Sequence, residues 1–451
     1  MKRRTLLKTL ITGSAVVSAG GLLPGATSCS DRFAASGSMP VKIAGMTLEE
    51  LKNDYKQRIF NQYLPFWEKG GFDEEFGGFM CELNDDGSVV KDEKSIWYQG
   101  RGIWVYSFLF NNFGKEKKFL KIAEKTRDFL VNKMYLNNGQ WRESVNRQGV
   151  PIESSVSQGT GKDIYGALFS AAGLIELYKA THNKEDLEIA LTSIRESVNR
   201  YDSPYYEGIT VPGIESKGLR TLGHSFMFVW LLTNLLSFYE DPELEKLLNE
   251  HVNHIINDFW NSEYGINNEN LFHDYTRLPG HETVMYSGHY MEALWMLLDE
   301  ALLKKDMQLF NTVKTRIRHH IEMTWDYVFE GMGTENYYVF RKGDKGPGPE
   351  LDSKVMWAHT EILVATMTIF EYTGEIWAKE WYERARKFCL KNYANTSTGV
   401  WRQAVDRFGK DQERPVVSIY RKGNFHQIRF MMMNLLSIER MIRNDNKISH
   451  I

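Results

Sequence analysis

The residues best suited to acid–base chemistry stand at the start of a strongly apolar helix that the sequence predicts from residue 289 onward. His289 and Glu292 are three residues apart, so a helix places both side chains on one face. An ionisable pair at the mouth of a buried helix costs desolvation free energy unless a reaction or a ligand uses it. His224, His359 and His426 stand near the start of three further apolar segments.

An internal repeat indicates where these histidines point. An aromatic residue followed eight positions later by glycine is clearest in residues 139–149 (GQWRESVNRQG), 399–409 (GVWRQAVDRFG) and 78–87. The motif predicts a short β-hairpin or loop with a glycine turn. Weaker copies at a period of about 65 residues complete six units. The six pairs are Phe79/Gly87, Trp141/Gly149, Tyr205/Gly213, Phe272/Gly280, Tyr338/Gly346 and Trp401/Gly409.

The segments between these loops are predicted to be helical. Apolar residues at helical spacing occupy 163–178, 224–239, 289–303, 355–372 and 426–441, and more amphipathic helices occupy 117–134, 184–200 and 376–393. Six αα-hairpins predict an all-α fold, an (α/α)6 barrel with apolar helices inside and short β-hairpin loops at one end. An open superhelix is the alternative. We favour closure because neither end of the chain carries an obvious polar capping repeat.

Equivalent positions in a ring of repeats converge on its axis, so we expect the four histidines to share one mouth. The first unit contributes Arg101 at this place, and the second offers Lys162, Asp163 and Tyr165. Any single histidine could instead be a hydrogen-bonded residue of the core or of a helix cap. Clustered imidazoles with Glu292 also suit zinc, but no His-Glu-x-x-His or similar local pair accompanies them. The sequence therefore predicts no metal site.

The first residues predict export. Residues 1–29 combine a basic start with an Arg3-Arg4 pair, an apolar stretch, and a lipoprotein-like cleavage box that ends at Cys29. We expect an exported bacterial protein, periplasmic or tethered to a membrane by a lipid on Cys29; an unlipidated signal is the alternative. Residues 30–45 would form a flexible tether and residues 46–445 the catalytic domain. Cys81 and Cys389 are predicted to be buried free thiols.

Composition narrows the class of ligand. A net charge of −3 and an isoelectric point near 6.5 give no electrostatic basis for binding nucleic acid. The 12 Trp, 22 Tyr and 25 Phe residues suit a cleft that stacks on carbohydrate, although core packing accounts for most of them.

Four segments resemble the N-acylglucosamine 2-epimerase family, which includes cellobiose 2-epimerases and some aldose–ketose isomerases. They are residues 97–104 (WYQGRGIW), 288–292 (GHYME), 354–361 (KVMWAHTE) and 422–429 (KGNFHQIR). The resemblance extends from about residue 51 to residue 441, and the second and fourth segments are its most specific parts. The family consists of (α/α)6 barrels, in agreement with the repeat count.

The resemblance implies an isomerase that removes a proton from C2 of a ring-opened sugar and returns it on the other face. His289 and His426 would be the two bases, because histidine titrates near neutral pH. Glu292 would orient His289 or raise its basicity, and Arg101 would stabilise the enediolate. The implied sugar contacts are His224, His359, Trp357, Tyr98 and Arg429.

The expected substrates are N-acyl-D-glucosamine and N-acyl-D-mannosamine; cellobiose-type disaccharides and free hexoses remain open. No organic cofactor or metal is expected, because the carbonyl is already in the substrate. The protein is expected to be a monomer or a homodimer that binds a small sugar and no nucleic acid.

Two other classes of protein fit part of the pattern. An (α/α)6 glycoside hydrolase would use paired carboxylates, for which Asp163, Glu282, Glu292 and Glu361 qualify. A carbohydrate-binding protein on the cell surface would keep the aromatic residues and would not need the histidines.

Overall fold

The computed structural model describes residues 41–152, 163–208, 211, 214–215, 217–333, 338–339, 353–395, 398–410 and 420–445. The predicted export signal, Cys29 and most of the predicted tether lie outside the described residues. The fold includes residues 42–45, since Lys42–Ile43 pairs with Met46–Thr47 and Ile43 is buried. Within the described ranges no helix is both long enough and apolar enough to cross a membrane.

Helices in two layers make up most of the described chain. The inner layer contains α2 (Ile96–Asn112), α4 (Tyr165–Thr181), α6 (Leu222–Leu236), α8 (Ser287–Lys304), α10 (Met356–Thr373) and α12 (His426–Arg443). The outer layer contains α1 (Leu48–Arg58), α3 (Lys117–Met134), α5 (Lys184–Tyr201), α7 (Pro242–Asn253), α9 (Met307–Thr324) and α11 (Ile376–Asn392). Helix α1 continues through the π-helical Ile59–Tyr63, the α-helical Leu64–Phe66 and the π-helical Trp67–Gly71, and α7 through the π-helical His254–Asp258.

The inner helices form a closed ring. Each packs against the next inner helix along the chain, and α12 packs against α2. The amide of Asn424 donates to the carbonyl of Tyr98 across this junction, at 2.9 Å. Inner helices such as α6 are buried along almost their whole length, whereas outer helices such as α3 bury one face, as their apolar and amphipathic patterns predict. The predicted (α/α)6 barrel is confirmed, and the open superhelix is excluded.

Short antiparallel strands lie at the end of the barrel where the inner helices begin, and the described pairings join five of the six pairs of neighbouring units. Pairs between units are Lys94–Ser95 with Ser144–Val145, Arg220–Thr221 with Asn270–Leu271, Val284–Met285 with Tyr338–Val339, and Ser353–Val355 with Ala404–Asp406. A single bridge between Glu82 and Arg421 joins the last unit to the first. The pairs within a unit are Glu82–Leu83 with Val89–Lys91 and Trp260–Asn261 with Ile266–Asn267.

The three clear copies of the loop motif turn as predicted. Gly87, Gly149 and Gly409 have φ angles of 87°, 92° and 85°, which favour glycine. Each donates its N–H to the carbonyl of the residue three positions earlier. The motif therefore encodes the same turn in the first, second and sixth units.

Two of the weaker copies were misplaced. Phe72 bridges Phe79 in the first unit, and the matching bridges are Trp260 with Asn267 and Trp325 with Met332. The counterparts of Phe79 are thus Asn267 and Met332, and the predicted Phe272 and Tyr338 lie five and six residues later. Neither counterpart is aromatic, so the pattern could not reveal them. Gly213 and Gly346 lie outside the described residues.

A buried charge cluster is repeated at two of the junctions. Asp73 accepts from Lys94 Nζ at 2.8 Å and from Arg147 Nε at 2.9 Å. Asp326 pairs with Lys354 Nζ at 3.3 Å and with Arg407 Nε at 2.9 Å. In both cases the arginine comes from the loop motif of the following unit, so each aspartate fixes one hairpin to the next. The free thiols Cys81 and Cys389 are both buried, as predicted.

We predict that Asp73→Asn lowers the free energy of unfolding by about 3–5 kcal/mol, because it leaves the Lys94 ammonium buried without a counter-ion. Burial opposes the charge of Asp73, but Arg147 and Lys94 hold its pKa at about 2. The stabilisation is therefore present at neutral pH and is lost as the pH falls from about 4 towards 2. Urea unfolding at pH 7 measures the difference. Glu75→Gln, which removes an exposed partner of Arg147, is the control and should change stability by less than about 1 kcal/mol; equal losses in both variants contradict the prediction.

Candidate active site

Two histidines, each supported by a glutamate, lie at the start of inner helices. His289 is in the first turn of α8, and its Nδ1 lies 2.8 Å from Oε1 of Glu269. His426 begins α12, and its Nδ1 lies 3.0 Å from Oε1 of Glu361. The glutamates are buried, whereas the imidazoles remain 21% and 14% exposed. Each carboxylate therefore occupies Nδ1 and leaves Nε2 available to a ligand in the pocket.

Trp357 packs against both imidazoles. Its ring centroid is 5.6 Å from that of His289 and 5.4 Å from that of His426. A Cβ atom on Gly288 would come within 2.3 Å of the Trp357 ring, so glycine at this position allows the tryptophan to pack against the start of α8. The predicted convergence of His289 and His426 on one pocket is confirmed, with Trp357 as its partly exposed wall.

The Arg429 guanidinium links three inner helices behind the pocket. Its Nη2 donates at 2.7 Å to Oε1 of Glu292 on α8 and at 2.7 Å to Oε2 of Glu361 on α10. Trp295 also donates to Oε2 of Glu361, at 2.6 Å. Arg429 is fully buried, and it holds the two carboxylates together. It does not present the surface for sugar that the resemblance implied.

The two histidines differ in protonation. Burial disfavours charge on His289, but the Glu269 carboxylate, with help from Glu292, raises its pKa above the ordinary 6.5. Burial and the neighbouring Arg429 guanidinium lower the pKa of His426 well below that value. At neutral pH His426 is neutral, and His289 holds its proton more tightly than an ordinary histidine. Neighbouring groups with pKa values pushed apart are the arrangement that acid–base catalysis requires.

Arg101 is on α2 and is near enough to His426 to affect its charge. Its guanidinium is 4.1 Å from the ring centroid of Phe169 and 5.1 Å from that of Phe425. The Arg429 guanidinium is 4.6 Å from the same Phe425 ring centroid. Burial lowers the pKa of Arg101 to about 10, which still leaves it charged. Its buried Nε has no hydrogen-bond partner within the described chain, so it can donate to a developing oxyanion.

Three side chains of this cluster have the chemistry of metal ligands. Donor atoms of Glu292, Glu361 and His426 lie within 4.8 Å of one another. Arg429 already contributes a positive charge to both carboxylates, and a divalent cation at this place would meet that charge at close range. The arrangement favours a guanidinium as the permanent counter-ion of the two glutamates.

His224 lies behind His289 and is completely buried in α6. Its ring is 4.5 Å from that of Tyr165, and neither of its nitrogens has a hydrogen-bond partner in the described part of the chain. Burial lowers its pKa to about 3, so the ring is neutral. His224 lies near His289, as predicted, with the partly exposed Tyr165 beside it; its contact with sugar stays a prediction.

The prediction that His359 joins the other histidines is wrong. Its Nε2 accepts from the Met332 N–H at 2.8 Å and its Nδ1 lies 2.8 Å from the Val355 carbonyl. His359 is two residues after Trp357, and two residues correspond to about 200° around a helix. Since Trp357 faces the pocket, His359 must face the outer layer.

Tyr98 was also predicted to contact sugar, and its hydroxyl is instead bound by Arg421. This contact, together with that of Asn424 with the Tyr98 carbonyl, secures the junction of the first and last units. Tyr98 is therefore part of the ring closure.

Of the two roles predicted for Glu292, orienting His289 or raising its basicity, the described contacts support the second. It accepts from Arg429 and acts on His289 only through its charge. The residue bonded to His289 is Glu269, which comes from the loop before α8 and was missed. No periodicity or motif marks Glu269 in the sequence. Glu361, the partner of His426, had been named only as a possible acid of a hydrolase.

The (α/α)6 barrel thus brings together two histidine–glutamate pairs with Arg101 nearby, an arrangement suited to acid–base chemistry. Residues 77–422 match the N-acylglucosamine 2-epimerase (GlcNAc 2-epimerase) family, and the chain belongs to that family. The predicted resemblance is confirmed, and the prediction of an isomerase is confirmed at the level of the family.

Relatives come from two branches of the family. The chain is 28% identical over 348 residues to a cellobiose 2-epimerase of Dictyoglomus turgidum, covering 72% of this chain and 83% of that protein. It is 23% identical to the N-acylglucosamine 2-epimerase of Mus musculus over 81% of this chain and 86% of that protein. The structure of a cellobiose 2-epimerase from Bacillus thermoamylovorans superposes with a TM-score of 0.73 at 19% identity, covering 87% of this chain and all of the other.

We predict that the imidazoles of His289 and His426 titrate far apart. In a protein labelled with ¹³C at histidine Cε1, NMR titration should give a pKa above 6.5 for His289 and well below 6.5 for His426. Arg429→Met should raise the pKa of His426, because the repelling cation is lost while Glu292 and Glu361 remain. Alanine variants assign the two signals, and Arg318→Met, at an exposed arginine of α9, is the control. Coincident titration of the two histidines would contradict the electrostatic account.

Proposed function

We propose that the protein is a sugar 2-epimerase that interconverts N-acyl-D-glucosamine and N-acyl-D-mannosamine through the ring-opened form. The observation that carries the proposal is a pair of imidazoles that both pack against Trp357, interact with each other and have opposite pKa shifts. Inverting a carbon next to a carbonyl needs a base on one face and an acid on the other, both active near neutral pH.

In the proposed reaction, Nε2 of neutral His426 removes the C2 proton. The electron pair of the C2–H bond forms the C1–C2 double bond, and the C1 oxygen becomes an enediolate oxygen that Arg101 stabilises. His289, protonated at both ring nitrogens, then delivers the proton on Nε2 to the opposite face of C2, and the C1 carbonyl re-forms. No redox partner is needed, since one C–H bond breaks and one forms.

The charges around the pocket favour an uncharged sugar. Glu269, Glu292 and Glu361 contribute three negative charges, and Arg101, Arg429 and protonated His289 contribute three positive charges. These six groups are paired or adjacent, so little net field is available for a sugar phosphate or a uronic acid. N-acylhexosamines and simple oligosaccharides carry no charge and fit this balance.

A cellobiose-type disaccharide is the second candidate substrate, because the D. turgidum relative named for cellobiose is 28% identical and the mouse relative 23%. A glycoside hydrolase needs a pair of free carboxyl groups, one of them protonated. Glu292 and Glu361 are both engaged by Arg429. Burial raises the pKa of Asp163 to about 6, but this carboxyl group already accepts from the backbone N–H of Tyr165 at the start of α4.

The proposal predicts loss of isotope exchange in His289→Ala and His426→Ala. Incubation in D2O should replace the C2 proton of the substrate in the wild type, and each variant should lose at least about 100-fold of that rate. ¹H NMR follows the C2 signal, and circular dichroism checks folding. His319→Ala, at an exposed position on α9, should exchange at the wild-type rate. Exchange at the wild-type rate in both site variants would refute the two-base proposal.

The same assay separates the substrates. N-acetylglucosamine, N-acetylmannosamine, cellobiose, glucose and mannose are offered separately, and we expect the highest kcat/KM for the N-acetylhexosamines. A higher value for cellobiose assigns the enzyme to the disaccharide-specific branch. Appearance of a ketose shows aldose–ketose isomerisation.

We propose further that the protein is exported and held at a membrane by a lipid on Cys29. The support is the basic twin-arginine start and the Ala26-Thr27-Ser28-Cys29 box of the sequence. We predict that the full chain expressed in a bacterium enters the membrane fraction and that Cys29→Ala releases it to a soluble fraction, as immunoblotting can show. Cys81→Ala is the matched control. An unchanged distribution in the Cys29 variant argues for the unlipidated signal.

A further inference from the structure

Glu269 occupies a rigid position between two units. Its N–H donates to the carbonyl of Val284 at 3.2 Å, and its carbonyl accepts from the N–H of Leu222 at 2.9 Å. The strand Arg220–Thr221 pairs with Asn270–Leu271 directly beside it. The backbone of Glu269 is thus fixed from both sides immediately below the pocket.

The carboxylate has two partners on one oxygen. Oε1 accepts from the Thr221 hydroxyl at 3.0 Å and lies 2.8 Å from Nδ1 of His289. Oε2 is buried and has no hydrogen-bond partner in the described part of the chain. Among the described ion pairs, His289 is the only cationic partner of Glu269. A buried carboxylate satisfied on one side only is costly, and its one charge partner is a residue of the pocket.

We propose that Glu269 is a positioning residue for the C2 chemistry, which keeps Nδ1 of His289 protonated and directs Nε2 into the pocket while Thr221 holds the carboxylate in place. The inference rests on the proposed two-histidine function. It adds a residue that touches neither substrate nor reacting atom and acts through His289.

Other charged and titratable groups also face His289. Glu292 on α8 and Glu361 on α10 raise its pKa through their charge, and His224 on α6 is near enough to interact with it. His426 on α12 is also near enough to interact with His289, and both rings pack against Trp357. None of these makes the hydrogen bond to Nδ1, and Glu269 has the largest effect among those that raise the pKa of His289.

Glu269→Gln separates charge from shape. The amide has nearly the same size and its oxygen can still accept from Nδ1–H, so a purely structural role is preserved. The negative charge is lost, and burial then lowers the pKa of His289. Because His289 delivers a proton, the variant is deficient in the protonated form, and the deficiency grows as the pH rises through the lowered pKa.

Two measurements test the inference on the full chain. The first is the pKa of His289 by ¹³C-histidine NMR, which we expect to fall by about one unit or more in Glu269→Gln. The second is the pH profile of C2 exchange, in which kcat at pH 7.5 should fall about 10–100-fold, KM should change less than about threefold, and the alkaline limb should move to lower pH. Glu269→Asp keeps the charge on a shorter side chain. The pKa of His289 in this variant should lie between its values in the wild type and in the glutamine variant.

Glu263→Gln is the matched control, because Glu263 is an exposed glutamate of the same loop region. It should leave both the pKa of His289 and the pH profile unchanged. An unchanged pKa of His289 in Glu269→Gln overturns the inference, whether or not the enzyme epimerises sugars. If the glutamine variant fails to fold, a wild-type pKa of His289 in the aspartate variant overturns it equally. Absence of C2 exchange in the wild type refutes the proposed function itself. The NMR titration does not depend on activity, so it tests the Glu269–His289 pairing separately.

Discussion

The Arg429 guanidinium is buried between Glu292 and Glu361, and the catalytic end of the barrel depends on this contact. A buried charge is tolerated only when its partners are present and well aligned. Here one nitrogen binds carboxylates from two different helices at 2.7 Å each. Glu361 is also the partner of His426. The interaction that sets the relative positions of α8, α10 and α12 therefore also sets the environment of His426, the proposed base.

The repeated scaffold presents different chemistry from equivalent positions. Gln99 and Gln427 each accept from the backbone N–H of the loop aromatic in their own unit, as His359 accepts from Met332. These three residues are therefore counterparts that face the loops. Two positions further along stand Arg101, Glu361 and Arg429, on the opposite side of their helices. A nearly symmetrical ring thus directs two cations and an anion toward its axis, and the anion offsets part of the cost of burying two guanidiniums.

The sequence predicted the helices and the closed barrel because apolar residues at helical spacing report burial directly. Three of the predicted outer helices match the structure to within one residue at each end. It also brought His289, His426 and Arg101 to one pocket, because repeats in a ring converge. It failed where the rotation about a helix decides the outcome. His359 and Trp357 are two residues apart, and only the structure shows which one faces the axis. The sequence-based prediction also missed Glu269, because a contact between a loop and a helix of the same unit produces no periodic pattern in the sequence.

The difference between His289 and His426 arises from the charges beside them. Burial disfavours charge on both rings, but Glu269 raises the pKa of His289, whereas Arg429 and, less strongly, Arg101 lower that of His426. Both histidines have a glutamate at Nδ1 and a similar exposure, so a scheme of matched bases would be expected from those features alone. Arg429 lies 3.2 Å from Nδ1 of His426, and none of the described ion pairs joins an arginine to the Glu269–His289 pair. One turnover in the proposed direction leaves His426 charged beside a guanidinium and His289 neutral beside a carboxylate, which is the less favourable distribution for both. The partly exposed edges of the two rings provide a route by which solvent can restore the starting state. On this reasoning the imidazoles must stay accessible to water between turnovers, and this requirement explains why the glutamates and Arg429 are buried while the histidines are not.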